Sequence, residues 1–339
     1  MTVLITGGAG YIGAHMVLAM REQGRSVVVL DDLSTGAREA LPEDVPLVVG
    51  DVGDETLVLR TIAQHGVTAV AHFAAKIVVP DSVRDPLGTY LANTGKTRSL
   101  LSAVVAAGVT RFIFSSTAAV YGLLPPTPTP EDAPVAPASP YGTSKLMSEW
   151  ILRDAAAAHG LSYVVLRYFN VAGADPAMRT GQRAAGASNL ITLATRAALG
   201  LRAGLDILGT DLPTPDGTGV RDYIHVADLA AAHVAALDYL GAGGPSVTLN
   251  CGYGRGFSVR EVVAAVNRAA GLEIATREAP RRPGDPFVSV ADARQIRDRL
   301  DWTPKLDDLD LIVRHALEWE RRYWIGSAER QAEIRRLAS

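Results

Sequence analysis

A chain of 339 residues, 48% hydrophobic and 20% charged, is long enough for two domains or for one large α/β unit carrying a lobe. Its 33 basic and 36 acidic residues leave a net charge of −3. That excludes the basic surface of a nucleic-acid-binding protein and the polybasic run that meets a membrane surface. The single cysteine, Cys251, excludes an intrachain disulfide framework and suits a reducing compartment.

The chain enters a strand-like run, Thr2 to Thr6, with no basic leader before it. Residues 2–20 lack charge, but Gly7, Gly8, Gly10 and Gly13 interrupt them, which argues against a membrane span. A cytoplasmic location is expected. Short apolar runs predict strands at 2–6, 26–31, 46–50, 68–73, 111–115 and 163–167. Amphipathic stretches between them predict helices at 13–23, 55–65, 86–107 and 141–159. Such alternation implies a parallel sheet covered on both faces, with ligands at the carboxyl ends of its strands. The proline-rich stretch 125–140 reads as a loop leading into a helix.

Beyond residue 170 the pattern loosens. Glycine, proline and polar residues cluster at 173–187 and 209–219, with helices expected near 188–199, 227–240, 258–270 and 308–323. The fold class is therefore α/β: a doubly wound parallel sheet, Rossmann-like, with a smaller C-terminal α/β substrate lobe. Residues 1–170 form the expected nucleotide-binding domain. Residues 171–339 form a discontinuous lobe, with about 220–250 returning to the sheet. Cys251 ends the apolar run from Val247 and reads as a buried strand residue.

Gly7-Gly8-Ala9-Gly10-Tyr11-Ile12-Gly13 follows the first strand and opens the first helix. Glycines at this spacing permit a tight turn, close approach of backbone to a pyrophosphate, and close helix–sheet packing. The helix N-terminus then offers its free N–H groups to the anion. Asp31, followed by Asp32, ends the second strand 18 residues past Gly13. A carboxylate there accepts from a ribose hydroxyl and repels a 2′-phosphate, so NAD is favoured over NADP. Asp51 ends the third strand and suits the adenine amino group.

Tyr141 and Lys145 stand four residues apart, which places them on one face of a helix. An ammonium about 4 Å from a phenol is worth roughly 4 kcal/mol at an effective dielectric near 20, less whatever desolvation of the phenolate costs, and a bound NAD⁺ would push the same way, toward a general base near neutral pH. Ser115, Ser116 and Thr117 end the fifth strand, where the ligand belongs. Thr117 is placed to bond a sugar hydroxyl beside Tyr141.

These residues resemble the extended short-chain dehydrogenase/reductases and, more narrowly, the UDP-galactose 4-epimerases. The most specific stretch runs from Gly209 to His225. Leu166-Arg167-Tyr168-Phe169-Asn170, Ser188-Asn189-Leu190 and Arg281-Arg282-Pro283-Gly284-Asp285 also match. The resemblance implies NAD contacts from Gly7, Gly10, Tyr11, Ile12, Gly13, Asp31, Asp32, Leu33, Ser34, Asp51, Val52, Phe73, Ala74, Ala75, Lys76, Asn93, Ser115, Tyr141, Lys145, Tyr168 and Phe169. It implies UDP-sugar contacts from Thr117, Tyr141, Asn170, Asn189, Leu190, Ile207, Leu208, Arg221, Arg282, Asp285 and Ser289, and no metal. It implies a homodimer pairing helices 86–107 and 141–159 with those of a second subunit. It also implies a mechanism. Tyr141 takes the proton of the sugar 4-hydroxyl while hydride leaves C4 for NAD. The 4-keto sugar turns over, and hydride returns to its other face.

Four positions depart from the resembled pattern. Ile77 stands where many relatives carry a pocket lysine, next to Lys76. Gly95-Lys96 replaces Asn-Gly. Thr117 replaces a common serine. Ser289 takes a place that is tyrosine in some relatives, and a small residue there leaves room beside the sugar C2 for an N-acetyl group. A nucleotide-sugar 4,6-dehydratase is disfavoured because Ala118-Ala119 follow Thr117 instead of an acid pair. A UDP-pentose or UDP-uronate 4-epimerase shares the chemistry and stands as an alternative. A non-catalytic NAD(H)-sensing module is the distant one.

Overall fold

The structure is a computed structural model that describes residues 1–123, 128–281, 285–327 and 330. Its first half alternates as the sequence predicts: β1 (Thr2–Thr6), α1 (Tyr11–Glu22), β2 (Ser26–Asp31), β3 (Leu47–Val49), α2 (Glu55–His65), β4 (Val67–His72). Two short helices follow, α3 (Val79–Arg84) and α4 (Pro86–Tyr90), then α5 (Lys96–Ala106), β5 (Arg111–Thr117), α6 (Pro140–His159) and β6 (Ser162–Tyr168). The second half holds β7 (Asn170–Ala172), α7 (Leu190–Ala198), β8 (Leu205–Leu208), β9 (Val220–His225), α8 (Val226–Gly241) and β10 (Val247–Cys251). It ends with β11 (Gly256–Ser258), α9 (Val259–Ala270), β12 (Thr276–Ala279), β13 (Val288–Ser289), α10 (Arg294–Leu300) and α11 (Leu309–Glu320).

Seven strands pair in parallel in the order β10-β6-β5-β4-β1-β2-β3. Alternate residues of each strand enter different cores, as a pleated strand requires. Val3 and Ile5 join α1 and α8 on one face, whereas Leu4 joins α2, α5 and α6 on the other. The sheet is thus apolar on both faces, which is what a fully covered parallel sheet demands.

Local chemistry fixes the helix bounds. Ser139 caps α6 by accepting the Gly142 N–H at 3.2 Å, Pro140 opens it, and Gly160 ends it in the left-handed region at φ 68°. Asp54 caps α2 in the same way, and Gly66 ends it. The helix expected over 86–107 is instead α4, a π-helical turn at Leu91–Gly95, and α5. The π turn carries Asn93 into the interior, where it is bonded to the chain after β4. The same turn contains Gly95, whose backbone adapts readily to the wider helix, and the bonds of Asn93 hold it in place.

Within 220–250, α8 packs on α1 and β10 pairs with β6. β9, expected in the main sheet, lies in a second one, between β11 and β13 and also paired with β7. Over Asp222–His225 β9 is buried on both faces, and the buried Asp222 carboxylate is satisfied by the N–H groups of Tyr253, Gly254 and Ala291 around the second sheet. β8 and β12 form a separate parallel pair.

One contact sets how closely β1 and β4 deliver their ends to each other. Gly7 has φ +69°, and a Cβ there would lie 2.6 Å from the Ala74 nitrogen and 2.9 Å from the Phe73 carbonyl carbon. Gly7→Ala therefore meets backbone on both counts. It is expected to lose roughly 1–2 kcal/mol from the left-handed backbone alone, with the clash in addition. Urea unfolding measures this, and a variant as stable as the parent would mean that the 73–74 segment moves aside freely.

Candidate active site

The parallel strands place the candidate residues along one edge. After β1, Gly10 leads into α1 with no side-chain cap and no acidic residue in the first turn. The helix therefore presents unpartnered N–H groups, as an anion site needs. A Cβ on Gly13 would stand 2.3 Å from the Gly7 oxygen, so this turn closes only with glycine. Tyr11 turns its side chain away, donating its O–H to the Gly173 carbonyl at 2.7 Å, which leaves its backbone on the helix N-terminus. Ile12 packs beside the core.

At the end of β2, Asp31 is buried and accepts the Ala9 N–H at 2.9 Å and the Leu33 N–H at 2.9 Å. Burial raises its pKa against those two bonds. Each carboxylate oxygen retains a lone pair for a further donor, as a ribose hydroxyl would be. Leu33 sits at φ 57°, an uncommon conformation for a bulky residue, and turns the chain sharply past Asp31. Asp32 accepts from the Ser34 N–H at 2.9 Å and from the Ser34 hydroxyl at 2.6 Å. After β3, Asp51 is paired with Lys96 at 2.6 Å, which holds its carboxyl below the usual range although burial pulls it upward. Val52 is buried beside it. Lys96 is one of the departures noted in the sequence, and here it meets the acid suited to adenine.

The segment after β4 is held by Asn93. Its Oδ1 accepts the Lys76 N–H at 2.8 Å, and its Nδ2 donates to the Lys76 carbonyl at 2.9 Å and to the Ser144 hydroxyl at 3.0 Å. Phe73, Ala74 and Ala75 are thereby fixed against the Gly7 turn, while the Lys76 ammonium points outward to Asp85 at 3.7 Å. His72 lies below, between the Thr6 hydroxyl at 2.6 Å and the Thr97 hydroxyl at 2.8 Å. Burial first, and then the nearby Lys145, push His72 down to about 3, so it stays neutral.

Tyr141, Lys145 and Thr117 converge where α6 crosses the end of β5. Lys145 is buried and donates to the Ser115 carbonyl at 2.8 Å, with its ammonium 4.9 Å from the centre of the Phe114 ring. Burial pushes it down to about 8, opposed by the charge of Glu149. Tyr141 behaves differently from the sequence expectation. Burial raises its phenol, and the opposing influence is a hydrogen bond with Thr117, not the lysine. The ammonium is engaged by a backbone carbonyl, and desolvation of the phenolate outweighs what it lends. The Thr117 hydroxyl also accepts the Ala119 N–H at 3.1 Å, which fixes its rotamer. Thr117 and Tyr168 are direct partners in the β5–β6 register, and the Tyr168 hydroxyl bonds Ser115. Phe169 is buried just beyond.

The second sheet gathers the candidate sugar-side residues. Asn170 pairs with Tyr223 and Ser289 pairs with Arg221. Arg221 and Tyr223 are two apart on β9, so all four side chains leave one face of that sheet. Asn189 caps α7 by accepting the Thr192 N–H at 2.9 Å, and Leu190 opens the helix. Ile207 is buried and Leu208 half-buried on β8, and Asp285 is exposed ahead of β13. Arg282 lies outside the described residues. Among the described residues no cluster of histidine, cysteine, aspartate or glutamate is arranged to hold a metal, and no helix is long and apolar enough to cross a membrane.

Two residues that sequence reasoning passed over carry contacts here. Ser144 receives Asn93 and donates to the Tyr141 carbonyl at 2.7 Å. Its position inside the Tyr141–Lys145 motif was the available signal. Glu149 meets Arg167 and Ser116 in the interior. A carboxylate one turn after a buried lysine was the sign of it.

Comparison with known proteins adds to this geometry. Residues 3–252 match the model of the NAD dependent epimerase/dehydratase family. The chain belongs to that family. Within it, the chain is 57% identical over 319 residues to the UDP-glucose 4-epimerase of Azospirillum brasilense, covering 94% of this chain and 92% of that one. The fold superposes on the UDP-glucose 4-epimerase of Brucella ovis in complex with NAD at a TM-score of 0.91, with 41% identity over 94% of this chain and 97% of that one. It also matches the UDP-Glc/GlcNAc 4-epimerase of Campylobacter jejuni at a TM-score of 0.83 and 44% identity, covering 95% and 99%. NAD is the cofactor of this epimerase family, and the uncapped α1 terminus, the glycine turn and Asp31 fit it.

Proposed function

We propose that the protein is a UDP-glucose 4-epimerase, interconverting UDP-glucose and UDP-galactose through a transient 4-keto sugar. The observation that carries this reading is the meeting of Tyr141, Thr117 and Lys145 beside an NAD-suited strand edge, in a chain 57% identical to such an enzyme. Bound NAD supplies the site that takes hydride from the sugar C4 and returns it. The protein supplies the rest. Tyr141 holds and moves the proton of the 4-hydroxyl. Thr117 bonds that oxygen and opposes the burial of the phenolate. Arg221, with Arg282, binds the diphosphate through its forked guanidinium. Asn170, Asn189 and Leu190 line the remainder of the nucleotide path. In this reading the sheet, with α8 and β10, forms the nucleotide domain up to about residue 170, and the rest forms the sugar lobe.

Two finer assignments follow. Ser289 stands opposite Arg221 and fills little space, which supports acceptance of N-acetylated sugars as well as plain ones. A homodimer is supported by apolar side chains exposed on α3, α4, the π turn after it and α6. There Val83 is 62%, Leu87 80%, Leu91 65% and Trp150 46% exposed. The buried free Cys251 suits a cytoplasmic enzyme.

A coupled assay without added NAD, on UDP-galactose and UDP-N-acetylgalactosamine, tests the reading. Tyr141→Phe is expected to lower turnover by about 10²- to 10⁴-fold while NAD remains bound, since general-base catalysis is lost and the pocket is kept. Activity that survives that change would assign the base elsewhere. Ser289→Tyr is expected to abolish the acetylated reaction and spare the plain one. Equal loss of both would remove Ser289 as the selector. Leu87→Asp should give a monomer by analytical ultracentrifugation with an unchanged circular dichroism spectrum, and an intact dimer would place the interface on another face.

A further inference from the structure

Glu149 lies one turn beyond Lys145 on α6, and the chemistry above gives it no task. Its side chain is 7% exposed and that of its partner Arg167 is 9%. Arg167 donates from Nε to both carboxylate oxygens, at 3.1 and 3.2 Å, and from Nη2 to Oε2 at 2.6 Å. The Ser116 hydroxyl donates to Oε1. Ser116 and Arg167 are direct partners in the parallel register of β5 and β6, so both side chains leave the face that α6 covers.

Helix and strand are therefore joined at two successive positions. Lys145 reaches the Ser115 carbonyl, and one turn later Glu149 reaches Ser116. The next residue of β5 is Thr117. A buried ion pair of this kind adds little net stability, because desolvation offsets the attraction. What it gives the site is a carboxylate fixed one helical turn from a desolvated ammonium.

The groups around Lys145 come from four elements. β4 brings His72, which is neutral. β5 brings the Ser115 carbonyl and the Phe114 ring. β6 brings the Tyr168 hydroxyl, bonded to Ser115, and Arg167, bonded to Glu149 and stacked 5.0 Å from the Tyr121 ring. α6 itself brings Tyr141 and Glu149. Among the described residues, the Glu149 carboxylate is the charge that counters the effect of burial on Lys145.

We propose that Glu149 is a positioning residue for the epimerase reaction, holding Lys145 as an ammonium beneath the pocket and setting the phase of α6, and so of Tyr141, against Thr117. This rests on the epimerase reading above.

The test compares wild type with Glu149→Gln in two measurements. The first is the pH profile of turnover on UDP-galactose. Wild-type activity should fall as pH rises through about 8, where Lys145 loses its proton. In the variant that limb should move to lower pH by about one unit, the effect of one partly screened charge at helix-neighbour distance. The second is a titration by NMR of ¹³Cε-labelled lysine in the NAD-bound protein. The sequence holds four lysines, Lys76, Lys96, Lys145 and Lys305, so Lys145→Met identifies the signal. Its midpoint should move with the limb. A midpoint that stays in place while activity falls equally at every pH would mean a purely structural role and overturn the proposal. If Glu149→Gln does not fold, the double change Glu149→Met with Arg167→Met removes the buried pair together; because the cation leaves with the carboxylate, limb and midpoint should move together to lower pH by less than in Glu149→Gln, and a midpoint that stays in place would overturn the proposal. A wild type without epimerase activity would sink the proposed function instead, and the lysine titration would still decide the role of Glu149.

Discussion

Strands that run the same way must end on the same edge, and this constraint organises the protein. β1, β2, β4, β5 and β6 each deliver a different kind of group to that edge: a glycine turn, a carboxylate, a backbone clamp, hydroxyls, and an aromatic pair. None of these is near the others in sequence. The parallel register brings them together without any loop having to travel far, and it also places α6 where its first two turns cross the end of β5. The sugar-side candidates come from the second, four-stranded sheet, in which β9 lies between β11 and β13 and also pairs with β7.

Burial is the dominant electrostatic force at this edge. It lifts the Tyr141 phenol, depresses Lys145 and keeps His72 uncharged. The interior thus resists charge wherever it has no partner for it, and the partners it does provide are few: Thr117 for the phenol, the Ser115 carbonyl for the ammonium, Glu149 at one turn's distance. In this condition the phenol and the imidazole stay neutral until a ligand brings compensating charge, while Lys145 keeps its proton up to about pH 8. That matches a reaction in which a proton and a hydride depart together and later return.

Much of the fold was legible because its signals are local. Alternating apolar runs located the strands of the main sheet to within a residue or two, and the glycines from Gly7 to Gly13 announced the turn that close backbone approach requires. Two features were not legible. The π turn at Leu91–Gly95 is held in place by the bonds that Asn93 makes to Lys76 and Ser144, partners 17 and 51 residues distant. β9 reads as an ordinary strand, and only its pairing with β7, β11 and β13 assigns it to the second sheet. For the site, spacing placed Tyr141 and Lys145 on one face, but it left open how far desolvation offsets the cation. Counting a neighbouring cation is possible from sequence, whereas the depth of desolvation and the carbonyl that claims the ammonium are properties of the packed interior. The pairing of Asp51 with Lys96 is likewise a contact across the fold.

The outermost strand of the main sheet has a temporal meaning as well as a spatial one. β6 is finished at Tyr168, but the neighbour that covers its free edge, β10, is not complete until Cys251. At synthesis rates of about 5–20 residues per second, that edge stands open for several seconds while the sugar-side strands are still emerging. An uncovered parallel edge rich in Val164, Val165 and Leu166 is a surface on which nascent chains associate wrongly. The nucleotide half of the molecule therefore cannot mature ahead of the remainder, and its final closure waits on the ribosome.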